Sequence, residues 1–115
     1  MDTITIRDLE VFCCVGVPES ERAKPQRLLI SIDMAVDTAT AAAKDELRWS
    51  IDYGAVCSYA ERVSKERPWH LIETLAAELA ETILREFGPA SVSVEVRKFP
   101  LPQVAFVAVR ATRPQ

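Results

Sequence analysis

The sequence predicts an α+β fold: a four-stranded antiparallel sheet with two helices packed on one face, in the order ββααββ. Three observations carry this. Apolar residues alternate with a period of two toward both ends of the chain, they recur at helical spacing through the middle, and each pair of strand-like segments is adjacent in sequence, as hairpin strands are. The chain of 115 residues fits a single domain over 1–115, large enough to bury a core.

Each element has its own signal. Residues 3–15 read as a long strand whose apolar phase shifts from Ile4 and Ile6 to Leu9, Val11, Cys13 and Val15, as a β-bulge would make it do. Gly16 ends it. Residues 26–37 alternate strictly, with Leu28, Ile30, Ile32, Met34 and Val36 on one face. The polar, proline-bearing stretch VGVPESERAKPQ between them reads as the connection of a large hairpin. From Tyr53 the set Tyr53, Val56, Cys57, Ala60 and Val63 follows helical spacing until Arg67-Pro68. A second helix is expected to begin just after Pro68, with Leu71, Ile72, Leu75, Ala76, Leu79, Ala80, Ile83 and Leu84 as its buried stripe and Gly88-Pro89 as its stop. Residues 91–98 and 103–112 read as two more strands joined by a short turn, FPLP. An open sheet of four strands leaves two long edges, and the last strand is apolar on both faces, which favours a homo-oligomer joined edge to edge.

Composition narrows the function. Fourteen Lys+Arg against seventeen Asp+Glu give a net charge of −3, which argues against nucleic acid or an anionic membrane as partner. No apolar run has the length of a membrane span and the N-terminus has no leader character, so a soluble, cytoplasmic domain is expected. Cys13 and Cys14 are adjacent and Cys57 is an odd third, so they read as small buried hydrophobes. With His70 the only histidine, no metal-ligand spacing stands out.

Four residues could carry chemistry. Lys98 continues the inward phase of Val92, Val94 and Val96, so its amine must snorkel, pair, or serve as an acid/base group. Tyr53 opens a helix on its apolar face, where a core tyrosine is the plain alternative to a catalytic one. Glu73 lies in the first turn of the second helix, where a carboxylate favours the helix dipole in any case. Glu21 sits in the charged loop PESER, where solvated carboxylates are ordinary.

The segments VGVPESE, IDYGAV, LIETLAAELAE and VEVRK, in this order and at these intervals, resemble the dihydroneopterin aldolase family of folate biosynthesis, over essentially the whole chain from Ile4 to Arg113. The resemblance implies the tunnelling fold, whose subunits join their sheets into a ring-shaped barrel, as a tetramer or two stacked tetramers. It implies that Glu73 anchors a pterin, helped by backbone groups at Leu71 and Ile72, and that Lys98 and Tyr53 are catalytic, with Glu21 beside the lysine. Tyr53, Ser50 and Ile51 would come from a neighbouring subunit. The implied reaction is the retro-aldol cleavage of 7,8-dihydroneopterin. The C6=N5 imine of the pterin is the electron sink, so neither a Schiff base, a metal nor another cofactor is implied. Phe99 stands where many members follow the lysine with proline, which leaves open a dihydroneopterin (triphosphate) 2′-epimerase on the same scaffold. A non-catalytic pterin- or purine-binding oligomer is the third reading.

Overall fold

The structure is a computed structural model that describes residues Met1–Gln115. Four strands, β1 (Asp2–Cys13), β2 (Gln26–Val36), β3 (Ser91–Lys98) and β4 (Val107–Arg113), form one sheet in the order β1-β2-β3-β4, with every neighbouring pair antiparallel. Two long helices, α3 (Tyr53–Lys65) and α4 (Ile72–Phe87), cover one face, with α3 against β1 and α4 against β3 and β4. The short helices α1 (Glu19–Arg22) and α2 (Ala39–Lys44) and a 3₁₀ turn at Leu47–Trp49 occupy connections that the sequence reading left without elements.

Alternation explains the core. Leu28, Ile30, Ile32 and Met34 of β2, with Val92, Val94 and Val96 of β3, are buried beneath Val56, Ala60, Leu75, Leu79 and Ile83 of the helices. The phase shift in β1 is a bulge between Ile6 and Leu9. Asp8 takes φ 57° there, a left-handed value that aspartate tolerates better than most residues, and its N–H donates to Ser31 Oγ at 3.0 Å. Gly88 closes α4 at φ 68°, its N–H bonding Leu84 O at 3.1 Å.

Several expectations are corrected. The second long helix starts at Ile72, not directly after Pro68, because Trp69 is drawn into a parallel bridge with Val15. Trp69 N–H bonds Cys14 O and Gly16 N–H bonds Trp69 O, both at 2.9 Å, while the buried indole donates to Ser64 O at 3.0 Å. Leu71 therefore precedes the helix and stays exposed. β4 begins at Val107 because its partner β3 ends at Lys98, so 99–106 is a longer loop than FPLP alone. Tyr53 is 64% exposed instead of buried. Only Cys13 of the three cysteines is fully buried, and burial pushes its thiol up to about 11.

The face of the sheet away from the helices is polar. Glu95 bonds Arg97 Nε at 2.7 Å and Arg110 Nη2 at 3.0 Å, and Arg110 reaches Asp33 at 3.7 Å. Arg97 also approaches Asp8 at 3.7 Å, which carries the chain of charges across to β1.

Candidate active site

The antiparallel register gathers one end of the sheet from the end of β1, the start of β2, the end of β3 and the start of β4. Lys98 is the last residue of β3 and keeps the inward phase, yet it lies beyond the helices' apolar cover. A primary amine there needs a partner, and Glu21 supplies it: Lys98 Nζ and Glu21 Oε1 are in direct contact, with the lysine side chain only 15% exposed. The loop carboxylate of the sequence reading thus sits on a helical turn and faces inward.

Local geometry makes this possible. Gly16, at the end of the first strand segment, has φ 150°, a value L residues rarely adopt, and the Glu21 side chain lies directly over its Cα. Gln26, the first residue of β2, donates to Val15 O at 2.7 Å and stands near enough to the Glu21 carboxylate to favour its ionised form. Lys98 first, and Gln26 with it, hold the Glu21 carboxyl below the ordinary carboxylate range, against the opposing effect of burial.

The Val15–Trp69 bridge ties the start of α4 to this same end. Glu73 is exposed in the first turn of α4, and no cation of the chain pairs with it. Leu71 at the N-cap offers no side-chain acceptor, so the first N–H groups of α4 around Ile72 and Glu73 stay free. A carboxylate beside free N–H donors presents acceptor and donor together, the pattern that pairs with an amide-like ring edge.

Ser50, Ile51 and Tyr53 lie elsewhere. Ser50 and Ile51 line a cavity of about 450 Å³ with Phe87, Gly88, Val36 and Ala90, at the far end of α4 and of the sheet. The rise of ~1.5 Å per residue along α4 puts about 21 Å between Glu73 and Phe87 at that end. Tyr53 opens α3, whose other end, at Ser64 and Lys65, lines a second cavity of about 420 Å³ with Cys13, Cys14 and Pro68. Within one chain, then, Lys98 contacts Glu21, Glu73 stands on the helix that the Val15–Trp69 bridge ties to the same end, and Tyr53, Ser50 and Ile51 lie at the other end. Gly16 and Gln26 escaped the sequence reading as site residues. The available signal was the VG preceding PESE, where a glycine follows a strand and leads into a charged turn. No three His, Cys, Asp or Glu side chains converge in a metal-holding arrangement, and no helix is long and apolar enough to cross a membrane.

Comparison with known proteins gives a consistent outcome. The family model described as FolB, dihydroneopterin aldolase, matches residues 4–112. The dihydroneopterin aldolase of Streptomyces coelicolor is 36% identical over 98 residues, covering 85% of this chain and 82% of that protein. The crystal structure of the Escherichia coli dihydroneopterin aldolase in complex with neopterin superposes with a TM-score of 0.94 at 28% identity, covering 98% of this chain and 99% of the other. The Burkholderia thailendensis dihydroneopterin aldolase bound to guanine gives 0.83 at 26% identity, over 97% and 89% of the two chains.

Proposed function

The chain belongs to the dihydroneopterin aldolase family, a family of lyases, and on that premise we propose that it cleaves 7,8-dihydroneopterin between C1′ and C2′ of the side chain. The products are 6-hydroxymethyl-7,8-dihydropterin and glycolaldehyde. The observation that carries this reading is the contact of Lys98 with Glu21 at the end of the sheet that also holds the unpaired Glu73.

Glu73 accepts hydrogen bonds from the 2-amino group and N3–H of the pterin, and the free N–H groups at the start of α4, near Leu71 and Ile72, complete the polar edge. A retro-aldol step then needs a base for the 2′-hydroxyl proton, an electron sink, and an acid for the resulting carbon. Lys98 moves the proton of the 2′-hydroxyl, with Glu21 as its counter-charge. Electrons of the breaking C1′–C2′ bond flow into the C6=N5 imine and leave an enamine. Tyr53 delivers or relays a proton to the enamine carbon from a neighbouring subunit, with Ser50 and Ile51 beside it, because its own Lys98 stands at the opposite end of the chain's fold. The working unit is then a ring of subunits, a tetramer or octamer.

A second reading is favoured by one feature. Phe99 follows Lys98, where the family resemblance leads to proline in many members, and Arg27 stacks on its ring at 5.1 Å. If glycolaldehyde turns over in place and re-adds, C2′ is inverted and the enzyme acts as a 2′-epimerase.

Incubation of the purified protein with 7,8-dihydroneopterin, beside Lys98→Ala, followed by separation and fluorescence detection of the oxidised pterins, tests both. Hydroxymethylpterin from the wild type and hardly any from the variant supports the aldolase. Monapterin alone moves the protein to the epimerase branch, and no pterin product from folded protein overturns the reading.

A further inference from the structure

Glu21 is followed by a side chain that bonds backbone carbonyls in place of a carboxylate. Arg22, the next residue of α1, makes no ion pair with any carboxylate of the chain. Instead its Nη1 donates to Gly16 O at 2.8 Å and to Val17 O at 2.5 Å. A guanidinium directed at two successive carbonyls makes charge-assisted bonds to groups that a surface turn would otherwise leave to water.

Those carbonyls belong to the turn on which Glu21 depends. Gly16 is the residue whose Cα the Glu21 side chain covers, and its N–H is fastened on the other side to Trp69 O at 2.9 Å. The backbone holds α1 by little else: the four-residue helix has no side-chain cap, and its own turn bonds are Glu21 and Arg22 N–H to Pro18 O. A single helical turn of this kind is marginal on its own. Without Arg22, the contact with Lys98 is the one ion pair that keeps Glu21 inward.

We propose that Arg22 is a positioning residue for the reaction: by fastening the carbonyls of Gly16 and Val17 it fixes α1 so that the Glu21 carboxylate stays on Lys98. The proposal rests on the reading above, in which Lys98 and Glu21 carry the proton transfer. Arg22 does not touch the pterin edge, so its loss acts on turnover and leaves affinity to Glu73.

The test compares kcat and KM for 7,8-dihydroneopterin among the assembled wild type, Glu21→Gln, Arg22→Met, Arg22→Lys and the double variant Glu21→Gln/Arg22→Met. Arg22→Met should lower kcat by about tenfold or more with KM within about threefold, and Arg22→Lys, which keeps a cationic donor, should recover most of the loss. The double variant should be no slower than Glu21→Gln, since both changes remove one function. Wild-type kcat in Arg22→Met overturns the proposal while Glu21→Gln stays impaired, and so does a double variant whose losses multiply. Wild-type kcat in Glu21→Gln removes the role of Glu21, and the positioning role of Arg22 falls with it, although product formation by the wild type would leave the aldolase reading standing. Should Arg22→Met fail to assemble, Arg22→Gln, with an amide donor for one carbonyl, takes its place in the same comparison.

Discussion

Glu21 lies so closely over the α-carbon of Gly16 that a methyl group there would stand 2.5 Å from Glu21 Cγ and 2.7 Å from its Cβ. Gly16 also has φ 150°, which costs an alanine of order 1–3 kcal/mol if the backbone is kept. Gly16→Ala should therefore expel Glu21 from Lys98 and resemble Glu21→Gln in turnover, with an added loss of stability. Steady-state kinetics and denaturant unfolding check it; a Gly16→Ala enzyme with wild-type kcat would show that the contact is not needed.

The acid behaviour of the same pair has a defined sign. The folded-state pKa of Glu21 lies below its ordinary 4.5, so its ionised form adds stability that is complete above 4.5 and lost as the pH falls through the lower folded value. The stability difference between wild type and Glu21→Gln should be constant from neutral pH down to about 4.5 and close below it. Unfolding midpoints measured in a pH series give this curve directly.

Lys98 and Glu73 should separate turnover from affinity. Lys98→Ala is expected to keep pterin affinity within about tenfold while losing roughly 10²–10⁴ in kcat, the usual contribution of one positioned acid/base group. Glu73→Ala leaves the pterin donors unpaired, at a cost of about 1–3 kcal/mol in binding. Titration with a pterin product and single-turnover rates distinguish the two; equal effects on both quantities in either variant would contradict the assignment.

Trp69 is fastened twice, through its backbone to Cys14 and Gly16 and through its indole to Ser64 of α3. Trp69→Phe removes the indole bond to the buried Ser64 O, about 1–3 kcal/mol of stability by itself, and the smaller ring adds a further loss by shrinking a fully buried side chain on which Arg67 stacks at 3.7 Å. The backbone bridge to Val15 survives, so pterin affinity should hold. A fall in affinity matching the fall in stability would mean that the ring, and not the bridge, positions α4.

The separation of Tyr53 from Lys98 leads to a complementation experiment. Lys98→Ala and Tyr53→Phe proteins are each expected to be nearly inactive. After dissociation and mixing in equal amounts, about a quarter of the inter-subunit sites would receive both native residues. Recovered activity in the mixture supports a shared site, and none after verified subunit exchange contradicts it.

Much of the scaffold was legible because period-two alternation and helical spacing are local signals. The phase shift of β1 located its bulge, and Val92, Val94 and Val96 placed Lys98 on the inner face. What failed was set by distant partners. Proline suits a helix start, but Trp69 pairs with Val15, far away in sequence, and that bridge delays α4 to Ile72. The alternation of QVAFVAV continues upstream of Val107, yet a strand lasts only as long as its neighbour, and β3 stops at Lys98. Glu73, Glu21, Lys98 and Tyr53 are named only by the resemblance of four short motifs, whereas Arg22 bonds backbone carbonyls and Gly16 matters for the side chain it lacks, which no periodicity reports.

The belt of Arg97, Glu95, Arg110 and Asp33 limits what can lie against the outer face of the sheet. Stripping water from these groups without new polar partners would cost more than an apolar contact returns. However the strand edges are satisfied, this side must go on facing solvent or an equally polar surface. A closed ring of such sheets would therefore enclose a hydrated bore, with its packed helices on the outside.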